Sequence, residues 1–203
     1  MKMNTHILNT GFNNMGSLEN MISFIGGDST RLEGSINLNE IDRLIIPGIG
    51  KFDHAMKTLN KMRIRDFLNE FMNTGRPILG ICLGMQIMTN ISAEGKLDGL
   101  GWFNASTDRF IFKSGSQLSI PHMRWNKVVN AKSDLFKNLD ENHRFYFVHS
   151  YHVNSPEEHR IGSTIYGYEF TSAIQNQNIF GVQFHPEKSQ KHGLKLIENF
   201  LKL

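Results

Sequence analysis

Cysteine is nearly missing from this chain: one residue, Cys82, in 203. A lone cysteine excludes an intrachain disulfide framework and fits a reducing, cytoplasmic compartment. An excess of either charge is missing too. The 22 Lys and Arg residues face 19 Asp and Glu, for a net charge of +3. That is too little to argue for a nucleic-acid partner. The most basic stretch, Lys188 to Lys195, has no aromatic side chain for base stacking. No apolar run approaches the ~20 residues of a membrane span. Met1 to His6 leads into no signal-peptide core. No repeat or low-complexity linker interrupts the chain, so residues 1–203 read as a single domain. What is present is ordinary for a globular protein, with 39% hydrophobic and 20% charged residues. The length suffices for a sizeable core.

The stretch of most chemical interest surrounds the cysteine: Pro77-Ile-Leu-Gly-Ile-Cys-Leu-Gly-Met-Gln86. An apolar run, Pro77 to Ile81, reads as a buried strand. Leu83, Met85 and Ile87-Met88 continue as a helix would. Gly80 and Gly84 flank Cys82 at equal spacing, the pattern of a nucleophile elbow with sulfur in place of a serine oxygen. Glycines there relieve the crowding of a sharp strand-to-helix turn. The following N–H, that of Leu83, faces where an oxyanion would form. The competing reading is a small buried hydrophobe, since free cysteine is commonly buried.

Along the chain, Thr5 to Leu8 and Ser29 to Leu32 read as strands around a helix from Asn13 to Gly26. Asp42 to Pro47 is a buried strand that runs into Pro47-Gly48-Ile49-Gly50. Phe52, Met56, Leu59 and Met62, then Leu68 and Phe71, recur at helical spacing. This alternation predicts an α/β fold, a three-layer sandwich around a mostly parallel central sheet. From Gly95 the texture changes. Strand-like runs at Asp108–Lys113, Gln117–Ile120, Lys127–Asn130, Arg144–His149, Ile161–Ile165, Thr171–Ile174 and Ile179–Phe184 predict an added antiparallel part. A helix follows Lys188.

A thiol nucleophile needs a base. Phe184-His185-Pro186-Glu187 offers one: in an extended segment His185 and Glu187 share a side, with the carboxylate placed to orient the imidazole. A strand-end histidine bonded for structural reasons is the alternative. The order Cys82, His185, Glu187 puts the acid after the histidine, unlike the α/β-hydrolases. The loop Gly48-Ile49-Gly50-Lys51 follows a sheet strand, where parallel-sheet ligands bind. It lacks the Gly-Lys-Ser/Thr of a phosphate loop. The densest histidine pair, His149-x-x-His152, has no third ligand at zinc spacing, so no metal is expected.

Gly80 to Gln86 together with His185-Pro-Glu187 resembles the class I (triad) glutamine amidotransferase family. Within it the likeness is nearest to the glutaminase subunits of imidazole glycerol phosphate synthases. Pro47 to Phe52, Gly99 to Trp102, Pro121 to Asn126, Phe145 to Tyr151 and Gly181 to Ser189 support that narrower likeness, which spans the chain. The resemblance implies a Cys82–His185–Glu187 triad that hydrolyses L-glutamine through a glutamyl thioester, without a cofactor. It implies oxyanion peptides from Gly48, Ile49, Gly50, Lys51 and Leu83. Gln86 and the backbone of His149, Ser150 and Tyr151 would hold the glutamine. The ammonia would pass to a (βα)₈-barrel synthase subunit in a heterodimer, near Trp125, Tyr151 and Lys188. That partner would make imidazole glycerol phosphate and aminoimidazole carboxamide ribotide, a step of histidine biosynthesis. Three places depart from the family pattern: Asn9-Thr10-Gly11, Asn14-Met15-Gly16, and Arg124 where a glycine is usual. They leave open a paralogue that supplies ammonia for sugar amination in surface polysaccharide. A silent partner that only stabilises the barrel is the non-enzymatic alternative.

Overall fold

The computed structural model describes residues 4–11 and 15–203. In chain order its elements are β1 (Asn4–Leu8), α1 (Met15–Phe24), β2 (Asp28–Leu32), β3 (Arg43–Gly48), α2 (Phe52–Lys61), α3 (Arg65–Met72), β4 (Ile78–Cys82) and α4 (Leu83–Gln86). Then come β5 (Ile91–Ser92), β6 (Ser106–Arg109), β7 (His122–Asn126), β8 (Phe145–His149), β9 (Tyr151–Asn154), β10 (Arg160–Tyr166), β11 (Tyr168–Asn176), β12 (Ile179–Val182) and α5 (Gln190–Phe200). The helix expected from Asn13 is present from Met15; Asn13 and Asn14 lie outside the described residues.

The main sheet runs β2-β1-β3-β4-β12-β11-β9-β6-β5, with β10 paired to β11. From β2 to β12 every pairing is parallel; β12/β11, β11/β9, β11/β10 and β9/β6 are antiparallel. Alternation along each strand sends side chains to opposite faces. Ile7, Ile45, Leu79 and Ile81 join a cluster with Leu18 and Ile22 of α1 and Leu196, Ile197 and Phe200 of α5. Leu8, Leu44, Ile46 and Ile78 join a second cluster with Phe52, Met56 and Leu59 of α2 and Leu68 and Phe71 of α3. Helices thus cover both faces, giving the expected three layers.

Several expectations need correction. The helix after Cys82 is a single turn, because the carbonyls of Ile87, Met88 and Thr89 are taken by N–H groups of residues 100–103 as that loop folds back. The macrodipole contribution at Cys82 is correspondingly small. Gln117–Ile120 and Lys127–Asn130 are not strands; the strand between them is β7. Periodicity missed it because its pattern is inverted: His122 is buried while Met123 and Trp125 are exposed. β9 and the short β5 were also unforeseen. β7 pairs with β8 in a separate two-stranded sheet, and Tyr146 of β8 bridges to His185.

Candidate active site

The elbow is built by backbone contact. Cys82 ends β4 with φ 54° and ψ −110°, a conformation that non-glycine residues rarely hold outside functional sites. The one-turn helix packs directly on β3: a Cβ on Gly84 would stand 1.8 Å from the Ile46 carbonyl oxygen. A Cβ on Gly80 would meet the Gly84 backbone at 2.8 Å. Only glycine fits at both positions, so the Gly-x-Cys-x-Gly spacing reflects contact distances within the fold. Leu83 begins α4, and the first N–H groups of a helix have no intrahelical acceptor.

His185 follows β12, the parallel neighbour of β4, so both side chains arrive at the carboxyl ends of adjacent strands. Cys82 and His185 line one cavity of about 300 Å³. Nδ1 of His185 lies 2.7 Å from Oε1 of Glu187, both side chains being nearly inaccessible. The extended backbone stops at His185, and Pro186–Lys188 form a 3₁₀ turn. The His–Glu contact is therefore made by a turn, not by strand alternation as the sequence suggested. Burial disfavours the charged ring, yet the Cys82 sulfur and the Glu187 carboxylate outweigh it, and the His185 pKa is pushed up to about 10. Such a pair favours an imidazolium beside the sulfur.

The cavity wall gathers Ile49, Gly50, Leu83, Gln86, His149, Ser150 and Tyr151 around Cys82 and His185. Gly48 pairs in register with Cys82 but does not line the cavity, and Lys51 is exposed and outside it. Gln86 Nε2 donates to the Tyr151 carbonyl and to Gln183 Oε1, each at 3.0 Å. It thus braces the opposite wall. His149 and His152 do not converge: His152 Nε2 meets the Tyr168 hydroxyl at 2.9 Å, while His149 bonds to Tyr151 and His122. Trp125 and Lys188 are exposed and flank Tyr146, at 6.1 Å between ring centroids and 5.8 Å from Nζ to ring.

Three residues that the sequence reading did not single out belong to this site. Gln183, fully buried, donates to Cys82 Sγ at 3.5 Å. Its place two residues before His185 was the available signal. Ser189 Oγ donates to the His185 carbonyl at 2.6 Å and accepts the Tyr146 N–H at 2.9 Å, pinning the histidine backbone. Glu94 supplies a carboxylate to the cavity wall and accepts the Phe52 N–H at 2.9 Å. It lies in a polar turn that no periodicity marks.

Residues 28–203 match the family model described as glutamine amidotransferase class-I. The chain belongs to the class-I glutamine amidotransferases, a family of enzymes. It is 47% identical over 97% of its length, and 98% of the relative's, to an imidazole glycerol phosphate synthase subunit HisH 2 of Methanococcus maripaludis. It is 44% identical, over 97% of this chain and 96% of the relative, to subunit HisH of Sulfurimonas denitrificans. Among solved structures, PurLQS of Thermotoga maritima aligns with a TM-score of 0.75 at 18% identity, covering 100% of this chain and 99% of that one. A glutamine amidotransferase of Thermotoga maritima aligns with a TM-score of 0.63 at 16% identity, covering 98% of this chain and 83% of that one. These structural matches speak to the fold.

Proposed function

We propose that this chain is the glutaminase subunit of an imidazole glycerol phosphate synthase, hydrolysing L-glutamine to glutamate and delivering the ammonia to a (βα)₈-barrel synthase subunit. The observation that carries the chemistry is the cavity joining Cys82, His185 and the His185–Glu187 pair. Cys82 sulfur attacks the glutamine side-chain amide. The imidazolium of His185 protonates the departing ammonia, while Glu187 holds the ring in the required orientation. A glutamyl thioester results, and water attacks it with His185 as base. Peptide N–H groups of Leu83 and of Ile49 or Gly50, the loop residues that line the cavity, bind the oxyanion. The backbone of His149, Ser150 and Tyr151 takes the glutamine main chain, and Glu94 suits its ammonium group.

The partner reading draws on the relatives' names and on the exposed Trp125 and Lys188, which flank the half-buried Tyr146. Aromatic residues commonly anchor interfaces. One continuous main sheet from β2 to β5 supports a single domain over residues 1–203. Among the described residues no helix is long and apolar enough to cross a membrane. The free thiol of Cys82 supports a cytoplasmic setting.

Cys82→Ala tests the reading. In the complex it is expected to abolish glutamine-dependent product formation, by about 10⁴-fold or more, and to spare ammonia-dependent formation. Residual glutamine hydrolysis by this variant would refute the nucleophile. A different acceptor rests on the departures from the family pattern, Arg124 among them. Growth rescue of a histidine auxotroph lacking its glutaminase would exclude that reading.

A further inference from the structure

Two histidines outside the catalytic triad form a directed hydrogen-bond chain that ends on the glutamine strand. His122 of β7 and His149 of β8 are register partners, both buried. His149 Nδ1 lies 2.7 Å from the Tyr151 carbonyl, which can only accept, so Nδ1 carries the proton. Burial holds the His149 pKa well below its ordinary value, so the ring is neutral and Nε2 is an acceptor. His122 Nδ1, 3.0 Å from that Nε2, must then donate. His122 is neutral as well, its pKa lowered to about 4 by burial and by nearby Arg124. Its Nε2 accepts a longer bond, 3.4 Å, from Asn126 Nδ2. That amide also donates to the Ile165 carbonyl at 3.0 Å. Every tautomer in the chain is thereby determined.

We infer that His122 is a positioning residue for glutamine: its Nδ1–H holds His149 in the tautomer that tethers the Tyr151 carbonyl, and so sets the backbone of Ser150 and Tyr151 in the cavity wall. This rests on the glutaminase reading. The alternative tautomer of His149 would turn a lone pair of Nδ1 toward the carbonyl oxygen and repel it. The hydrogen bond made by one ring nitrogen decides which nitrogen is protonated. His122 cannot swing away, because its ring stacks between Tyr166 at 4.0 Å and Phe147 at 4.9 Å. Arg124 lies over the Tyr166 ring at 5.1 Å. The Tyr151 carbonyl also accepts from Gln86, so it is held from two sides.

Two variants separate positioning from packing. His122→Phe keeps a ring between Tyr166 and Phe147 but removes the donor. His122→Asn places an amide N–H near the lost Nδ1–H. In the complex with the synthase subunit, His122→Phe is expected to raise the glutamine KM about tenfold, the effect of one lost hydrogen bond, with kcat within about threefold. His122→Asn should restore KM to within about threefold of the unsubstituted chain. An unchanged KM in His122→Phe would overturn the inference. So would equal impairment of both variants with parallel losses of Tm, the mark of a purely structural role. Long-range ¹H–¹⁵N spectra of histidine-labelled protein give a readout that needs no turnover: His149 and His122 should both show the Nδ1–H tautomer at neutral pH. An Nε2–H signal for His149 would also overturn the inference. Absence of glutaminase activity in the unsubstituted complex would instead overturn the glutaminase reading itself, a result separate from the tautomer spectrum.

Discussion

Cys82 stands at the end of a parallel strand covered on both faces by apolar side chains, whereas His185, His149 and His122 stand where antiparallel segments meet and are held largely by side-chain hydrogen bonds. On the cysteine side the backbone itself is the support, with Gly84 pressed against Ile46. On the histidine side Glu187 bonds the His185 ring while Ser189 and Tyr146 pin its backbone, and the Tyr151 carbonyl and His122 bond the His149 ring. Backbone contacts have no rotamers and admit little adjustment. Hydrogen-bonded rings can exchange partners. Cys82 is thus fixed by backbone packing, and the wall carrying His149 and Tyr151 by hydrogen bonds that each need their partner in place. The face bearing Trp125 and Lys188 adjoins that wall through Tyr146 of β8.

The contrast can be broken from either side. On the hydrogen-bonded side, Glu187→Gln keeps the shape of the orienting group and removes its charge. Steady-state assays of the complex should show kcat/KM about 10³-fold lower, or about 4 kcal/mol. A fall of less than about tenfold would deny Glu187 its orienting role. On the rigid side, Gly84→Ala sets a methyl group against the Ile46 carbonyl. Urea unfolding should report a loss of about 3 kcal/mol or more. A loss below about 1 kcal/mol would show that the elbow can yield.

Titration sharpens the comparison, because the buried histidines are shifted in opposite directions. His185 is raised from 6.5 to about 10, so the folded chain binds more protons than the unfolded chain between those values. The stability it contributes is fully present below pH 6.5 and is lost as pH rises toward 10. His122 is lowered from 6.5 to about 4, so its contribution is present above 6.5 and is lost as pH falls toward 4. Thermal unfolding against pH should therefore peak near neutrality. Cys82→Ala should flatten the alkaline limb and leave the acid limb in place. If the alkaline limb is unaltered, the sulfur is not what holds the proton on His185. The smallest effect is expected far from both supports. Asp140 is held at about 2 by hydrogen bonds from His192 and Lys191, but it sits on the surface, where ion pairs are well screened. Asp140→Asn should leave glutaminase kinetics unchanged and move Tm by no more than about 2 °C. A larger shift would show that the α5 end of the molecule is better coupled to the core than its exposure suggests.

Legibility in the sequence followed the same division. The parallel half could be read because β3 and β4 are buried, mainly apolar strands and α2 and α3 carry their buried side chains at helical spacing. The antiparallel half was read less well. β7 hides a histidine and shows solvent a methionine and a tryptophan, so hydrophobic alternation pointed to the wrong segments. Gln183 and Ser189 lay inside a stretch already marked as family-like, but their roles depend on Cys82 and Tyr146, which are distant in the chain.

By itself the order of residues pointed to the strand-to-helix elbow at Cys82 and set His185 two residues from Glu187, because these are local in the chain. Only the tertiary structure decided that β4 and β12 lie side by side, which brings sulfur and imidazole into one cavity. That adjacency is a consequence of long-range strand pairing, whose partners are chosen by burial of whole sheet faces and leave no mark in any short window of sequence.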